Sequence, residues 1–337
     1  MAVPADQPKE EKHVKVVVTG GAGFIGANLG RALLEHPEID RVVALDNLST
    51  GLRSNLAGTG VELVEATILD PDALDATFDG ASAVVHLGAR PSVPRSVADP
   101  VASHHANATG TLEVLQAARR AGSIHVIVAS SSSVYGANTD LPKRETMRTA
   151  PISPYAVSKQ ATESYAIAFG HSYGLPVLAF RFFNVYGPLQ PAGHAYAAVI
   201  PAFVDAALRG APLQVHGDGE QTRDFTYVGT LTRVITEAVV NKVTDLDPVN
   251  LAFGSRTSLN GLIDELSDLL GFRPEVEYTA PRAGDVRDSQ ADNSRLRAHF
   301  PAVEAVPLRE GLKSTIDWFA TLPSYQDQTG GRPHPAG

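Results

Sequence analysis

Residues 14–35 read VKVVVTGGAGFIGANLGRALLE, and no other stretch constrains the fold so tightly. A nearly continuous apolar run closes at Thr19. Gly20, Gly23 and Gly26 then follow at three-residue spacing before a helical pattern begins. Gly20 admits a tight turn, Gly23 lets backbone approach a pyrophosphate, and Gly26 lets a helix pack close against the strand. The helix start turns its free N–H groups and positive dipole end toward phosphates. Glycines so spaced mean little in isolation. Set between a buried strand and a helix, they specify a dinucleotide site.

The remainder of the first half repeats this alternation. Apolar runs at 14–19, 41–46, 61–65, 83–87 and 124–130 suit parallel strands buried on both faces. Amphipathic stretches such as 27–35 and 109–121 lie between them, and further strands are expected at 177–183 and near 249–252. The pattern predicts an α/β fold, a Rossmann-type doubly wound parallel sheet. After Tyr186–Gly187–Pro188 the chain becomes turn-rich at 217–220 and 280–285, with helices at 257–270 and 308–319. This predicts a smaller C-terminal α/β lobe beside the strand ends, where open sheets of this kind bind ligands. The expected organisation is a dinucleotide-binding domain over 13–185 plus about 228–253, and a substrate lobe over 186–227 plus 254–320. Flexible tails are expected at 1–12 and 321–337 on composition.

Net charge and cysteine usage exclude several functions. A net charge of −9 argues against a general nucleic-acid or membrane-surface binder, although a few local arginines can still hold an anionic substrate. No run approaches the roughly 20 apolar residues of a spanning helix. With no cysteine there is no disulfide and no thiolate metal site, which fits the cytoplasm. His86, His104, His105 and His125 show no metal-ligand spacing, so no metal is expected.

Two further signals carry chemistry. Asp46 ends the second apolar run, where a carboxylate accepts the adenosine ribose hydroxyls and repels a 2′-phosphate. That favours NAD, although Arg53 nearby leaves NADP open. Tyr155 and Lys159 stand four apart on one helix face, downstream of a serine run at 128–136. A tyrosine titrating near 10 is a poor base at neutral pH. A lysine ammonium and the nicotinamide charge together would favour its phenolate, and a strand-end serine can relay a substrate proton. A Tyr-x-x-x-Lys pair on its own is common on surface helices; in this order, after the glycine turn and the serines, it is specific.

The chain resembles the extended short-chain dehydrogenase/reductases, and within them the UDP-sugar 4-epimerases. TGGAGFIG, Asp46–Asn47, VHLGA, PSVPRS, SSSSVYG, SPYAVSK, RFFNVYGP, GDGEQTRDFTYV and RAGDVRDSQAD carry the resemblance, which covers nearly the whole chain. It implies Ser131, Tyr155 and Lys159 as the catalytic trio. It implies cofactor contacts from Gly20, Gly23, Phe24, Ile25, Gly26, Asp46, Asn47, Thr67, Ile68, Leu87, Gly88, Ala89, Asn107 and Phe183, besides Tyr155 and Lys159. Ser92, Ser131, Ser132, Ser133, Asn184, Arg223, Arg282, Asp285 and Ser289 would face the UDP-sugar. A homodimer through a four-helix bundle, formed by 100–121 and 153–173 of each subunit, is implied as well. Two positions depart from the family pattern: Thr67 stands where an aspartate near the adenine is usual, and Gly229 replaces the aspartate after Tyr227–Val228.

The resemblance also orders the reactions. Similar dehydratases and decarboxylases place an acidic residue where Ser132 or Ser133 stands here. Neither serine can serve as a carboxylic acid, which leaves epimerisation through a transient 4-keto sugar. Small Ser289 leaves room for an N-acetyl group, so UDP-N-acetylglucosamine is expected beside UDP-glucose. UDP-glucuronate is the alternative, should Arg90 or Arg95 meet its carboxylate, and an NDP-sugar dehydratase or reductase is the other enzymatic reading. A non-catalytic dinucleotide sensor on the same fold would be expected to have lost Tyr155 or Lys159, and both are present.

Overall fold

The computed structural model describes residues 14–192, 197–281 and 287–326. Seven parallel strands form the central sheet: β1 (Lys15–Thr19), β2 (Arg41–Asp46), β3 (Glu62–Glu65), β4 (Ala83–His86), β5 (His125–Ser131), β6 (Val177–Phe182) and β7 (Val249–Leu251). Their order is β7-β6-β5-β4-β1-β2-β3. The chain reverses direction of growth between β1 and β4, and that switch point opens a crevice at the strand C-termini. Gly20 follows β1 there, and Leu87 follows β4.

The valine-rich runs form strands because both faces of the sheet are covered. Val16, Val17 and Val18 are all fully buried although successive side chains point to opposite faces. Val16 and Val18 pack with Leu29 and Leu33 of α1 (Phe24–Leu34). Val17 packs with Leu74 and Phe78 of α2 (Pro71–Phe78), Leu115 of α3 (Gly110–Arg120) and Ala166 of α4 (Pro154–Tyr173). Leu231 and Ile235 of α5 (Val228–Val240) complete the first face. The smaller lobe has its own core of Tyr186, Phe203, Leu213, Leu262, Leu312 and Phe319. In it Leu213–His216 pairs in parallel with Val276–Thr279.

Three expectations are corrected. Leu296, Phe300 and Val303, assigned by sequence to the lobe, pack in the core of the large domain, with Phe300 at 6.1 Å from Phe180. Order also runs past 321, because Pro323–Gln326 is helical and Tyr325 is buried against Phe319. Residues 1–13 and 327–337, which include the rest of the expected tails, lie outside the described residues. Finally, the helical segment expected over 100–121 is not one regular helix. A π-turn at His105–Thr109 separates Pro100–His104 from α3 and carries Asn107.

Candidate active site

The glycine turn is built as close approach requires. Gly20 has φ +68°, and a Cβ there would stand 2.8 Å from Gly88 N. At Gly26 a Cβ would lie 2.2 Å from Gly20 O, so only glycine lets α1 start against the strand end. Gly23 is the N-cap of α1 and supplies no side-chain cap, leaving the N–H groups at Phe24 and Ile25 for an anion. Asp46 is buried at the end of β2, accepting Ala22 N at 3.0 Å and Leu48 N at 2.8 Å. Each carboxylate oxygen keeps a second lone pair, enough to take ribose hydroxyls. Across the turn, Leu87 N donates to Thr19 O at 3.1 Å, which sets Leu87, Gly88 and Ala89 opposite Gly20. Ile68 covers this side: a Cβ at Gly110 would meet its Cδ1 at 2.5 Å. The neighbouring Thr67 Oγ1 accepts from Leu69 N at 3.3 Å. These residues fit a bound dinucleotide.

Two further residues expected at the cofactor make contacts of their own. The Phe183 ring is buried among Val134, Tyr135, Ala252 and Ala291. Asn47 is exposed, and its Oδ1 accepts Ser49 N at 3.1 Å in a local turn.

The base and its partners come from two elements. Ser153 caps α4 by accepting Ala156 N at 3.1 Å, and Pro154 opens the helix where its missing N–H costs nothing. Ser96 Oγ accepts the N–H of Tyr155 itself at 2.9 Å. Tyr155 faces Ser131, the last residue of β5, whose Oγ accepts from Ser133 N at 3.2 Å and Ser133 Oγ at 2.9 Å. Ser132 begins the short 3-10 turn Ser132–Tyr135. Burial pushes the Tyr155 phenol above its usual value, and the Ser131 hydroxyl works against that shift. Lys159 is buried, and its Nζ donates to Ala129 O at 2.8 Å. Loss of hydration brings its pKa down to about 8. The ammonium is thus held by the strand, one helical turn beyond Tyr155.

A buried polar chain, missed in the sequence, joins the cofactor turn to α4. His86 Nδ1 lies 2.7 Å from Thr19 Oγ1, and its Nε2 lies 3.0 Å from Thr111 Oγ1. Thr111 donates to Asn107 O at 2.5 Å, so the imidazole donates from Nε2 and accepts at Nδ1. Asn107 Oδ1 takes Arg90 N at 2.7 Å, and its Nδ2 reaches Ser158 Oγ at 2.9 Å. Only the histidine inside an otherwise apolar strand, VVHLG, hinted at this.

At the lobe side, Asp224 is fully buried and accepts Gly254 N, Ser255 Oγ and Ala291 N, each at 3.0 Å. Sequence reasoning passed over it, though it follows Arg223 directly. Around this hub, Asn184 Nδ2 donates to Asp224 O at 3.4 Å, Arg223 Nη1 donates to Arg287 O at 3.0 Å, and Ser289 N donates to Thr222 O at 3.1 Å. Asn184, Arg223 and Ser289 are thus brought together, while Arg282 and Asp285 lie outside the described residues. Ser92 holds a left-handed φ of +97° at the start of Val93–Ala98, a costly conformation for serine. Arg90 pairs with Asp99 at 3.0 Å. Among the described residues no cluster of three or more His, Asp or Glu side chains is arranged to hold a metal.

The family described as NAD dependent epimerase/dehydratase matches residues 16–252. The UDP-glucose 4-epimerase of Mycolicibacterium smegmatis is 36% identical over 312 residues, covering 91% of this chain and 98% of that protein. A UDP-N-acetylglucosamine 4-epimerase from Methanobrevibacter ruminantium, solved with UDP-N-acetylmuramic acid, superposes with TM-score 0.86 at 36% identity, covering 92% and 99% of the two chains. The Thermus thermophilus UDP-glucose 4-epimerase solved with NAD gives TM-score 0.82 at 33% identity, covering 91% and 99%.

Proposed function

The chain belongs to the NAD dependent epimerase/dehydratase family, and on that premise we propose that it inverts position 4 of a UDP-linked sugar. The observation that carries this is the placement of Ser131 beside the Tyr155 phenol, flanked by Ser132 and Ser133, with no carboxylic acid in the turn. The turn of Gly20, Gly23 and Gly26 with Asp46 would hold NAD, which would supply the reversible oxidation of the sugar carbon. Tyr155 Oη takes the proton of the 4-hydroxyl and later returns it, with Ser131 orienting both oxygens. Neither neighbouring serine can protonate a leaving group, so the 4-keto sugar has one exit. It turns in the pocket and is reduced on its other face.

Arg223 and Asn184 are proposed to hold the diphosphate and nucleotide, an arginine fork being suited to phosphate oxygens. Ser289 leaves space beside the sugar, which supports use of N-acetylated hexosamines as well as hexoses. The uronate alternative is weakened because Arg90 is already paired with Asp99, leaving Arg95 alone for that carboxylate.

The test is to incubate the protein with UDP-glucose, UDP-N-acetylglucosamine and UDP-glucuronate separately, and to resolve products by chromatography and mass. A new peak of unchanged mass that Tyr155→Phe abolishes is expected with the first two. A product lighter by water or carbon dioxide would sink the epimerase reading.

A homodimer is part of the proposal. Val101 (64% exposed), Ile152 (57%) and Val157 (53%) line one surface groove of about 580 Å³, with Tyr165 also exposed on α4. An apolar face of this kind suits a self-complementary, two-fold contact that would brace the helix carrying Tyr155. A cytoplasmic location accords with the use of NAD and a nucleotide sugar. Among the described residues, no helix is long and apolar enough to cross a membrane.

A further inference from the structure

Three consecutive residues at the end of β5 each face a different turn of α4. Ala129 O accepts Lys159 Nζ at 2.8 Å, Ser130 Oγ donates to Glu163 Oε2 at 2.9 Å, and Ser131 stands by the Tyr155 phenol. Tyr155, Lys159 and Glu163 succeed one another four residues apart, so they lie along one helix face. Glu163 in turn accepts both arms of Arg181, from Nε at 2.8 Å and Nη2 at 2.6 Å. With side chains 3% and 7% exposed, this is the most deeply buried ion pair among the described residues. Arg181 lies on β6 and stacks 4.8 Å from the Tyr135 ring, whose hydroxyl donates to Asn250 at 2.6 Å.

Stability gives little reason for such a pair, since apolar residues of equal volume often do as well in a core. Geometry gives a better one. A two-pronged arginine–carboxylate contact fixes an orientation that packing alone leaves free to slide. We propose that Glu163 and Arg181 are positioning residues: they lock the rotation and register of α4 against β5, so that Tyr155 meets Ser131 and Lys159 meets Ala129. The turnover part of the test rests on the epimerase reading; its titration part does not.

The test compares full-length, NAD-loaded wild type with Ser130→Ala, which keeps the ion pair but cuts its tie to β5, and with Glu163→Gln. For each, kcat and KM are measured per folded, NAD-containing molecule. The Tyr155 phenol is titrated by ultraviolet difference against the corresponding Tyr155→Phe protein. In both variants kcat is expected to fall about tenfold or more with KM altered less than about twofold, since small misplacements of reacting groups cost rate rather than binding. In Ser130→Ala the phenol should also titrate higher by about half a pH unit or more as it moves away from Ser131. Unchanged kcat and an unchanged phenol titration, with only the melting temperature lowered, would reduce the pair to a structural role and overturn the proposal. If Glu163→Gln does not fold, Ser130→Ala decides. Should wild type turn over no UDP-sugar, the epimerase reading fails, and the phenol titration still settles the positioning role.

Discussion

The Nζ of Lys159 donates to the main-chain carbonyl of Ala129 at 2.8 Å, two residues before Ser131 on the same strand. The ammonium is thereby anchored to β5, while Ser131 is what opposes the upward shift that burial imposes on Tyr155. At neutral pH the phenol of the cofactor-free protein is protonated. The positive nicotinamide ring is then the missing influence that favours a phenolate. Difference absorbance of phenolate against Tyr155→Phe should show ionisation at lower pH with oxidised NAD bound than after NAD is stripped. Equal titrations would show that cofactor charge plays no part. Because Lys159 loses its proton as pH rises through about 8, kcat/KM should also decline above about pH 8.

His86 makes acid stability predictable. Burial first, and the Lys159 charge second, bring its pKa down to about 3. An unfolded histidine titrates near 6.5, so as pH falls below about 6.5 the unfolded chain binds a proton that the folded chain refuses until about 3. Stability is therefore full above that window and lost through it, approaching about 1.4 kcal/mol per pH unit. Urea midpoints at pH 7, 6 and 5 should fall more steeply for wild type than for His86→Gln. Parallel slopes would contradict the assignment.

Gly26→Ala should cost the cofactor before it costs the fold. Its Cβ would press within 2.2 Å of the Gly20 carbonyl, which is main chain and cannot swing aside. We expect NAD content after purification, measured by extraction, to drop at least about tenfold, equivalent to roughly 1.4 kcal/mol of lost binding. Full NAD loading would mean that the turn relaxes more freely than its packing allows.

Ser289→Tyr is expected to separate the two sugar classes. Filling the half-buried position beside Thr222 should lower kcat/KM for UDP-N-acetylglucosamine by about tenfold or more and leave UDP-glucose nearly unaffected. An equal loss on both would place Ser289 away from the acetamido group.

Charging the apolar groove should abolish association. Val101→Asp together with Val157→Asp puts like charges on a surface that a two-fold contact doubles. Sedimentation should give about twice the subunit mass for wild type and a single subunit for the variant. A wild-type monomer would remove the dimer from the proposal.

The glycine turn, the buried strands, Asp46 and the Tyr155–Lys159 spacing were all legible in the sequence. Each is a local matter, expressed within one element by side-chain period or by the backbone freedom of a single residue. The serine opposite Tyr155 was reached by resemblance, and in the structure Ser131 stands where it acts on the phenol. What the tertiary structure alone decided depends on residues far apart in the chain. Lys159 turns to Ala129 across a separation of 30 residues, and His86 bridges Thr19 and Thr111. Phe183 spends its ring on Val134 and Tyr135, while Phe300 leaves the lobe for Phe180. A periodic pattern states which face of an element is buried, but not which neighbour fills it. In a buried site the direction of each long side chain follows from whichever donor, acceptor or cavity packing brings within reach, and that is set only when the elements assemble.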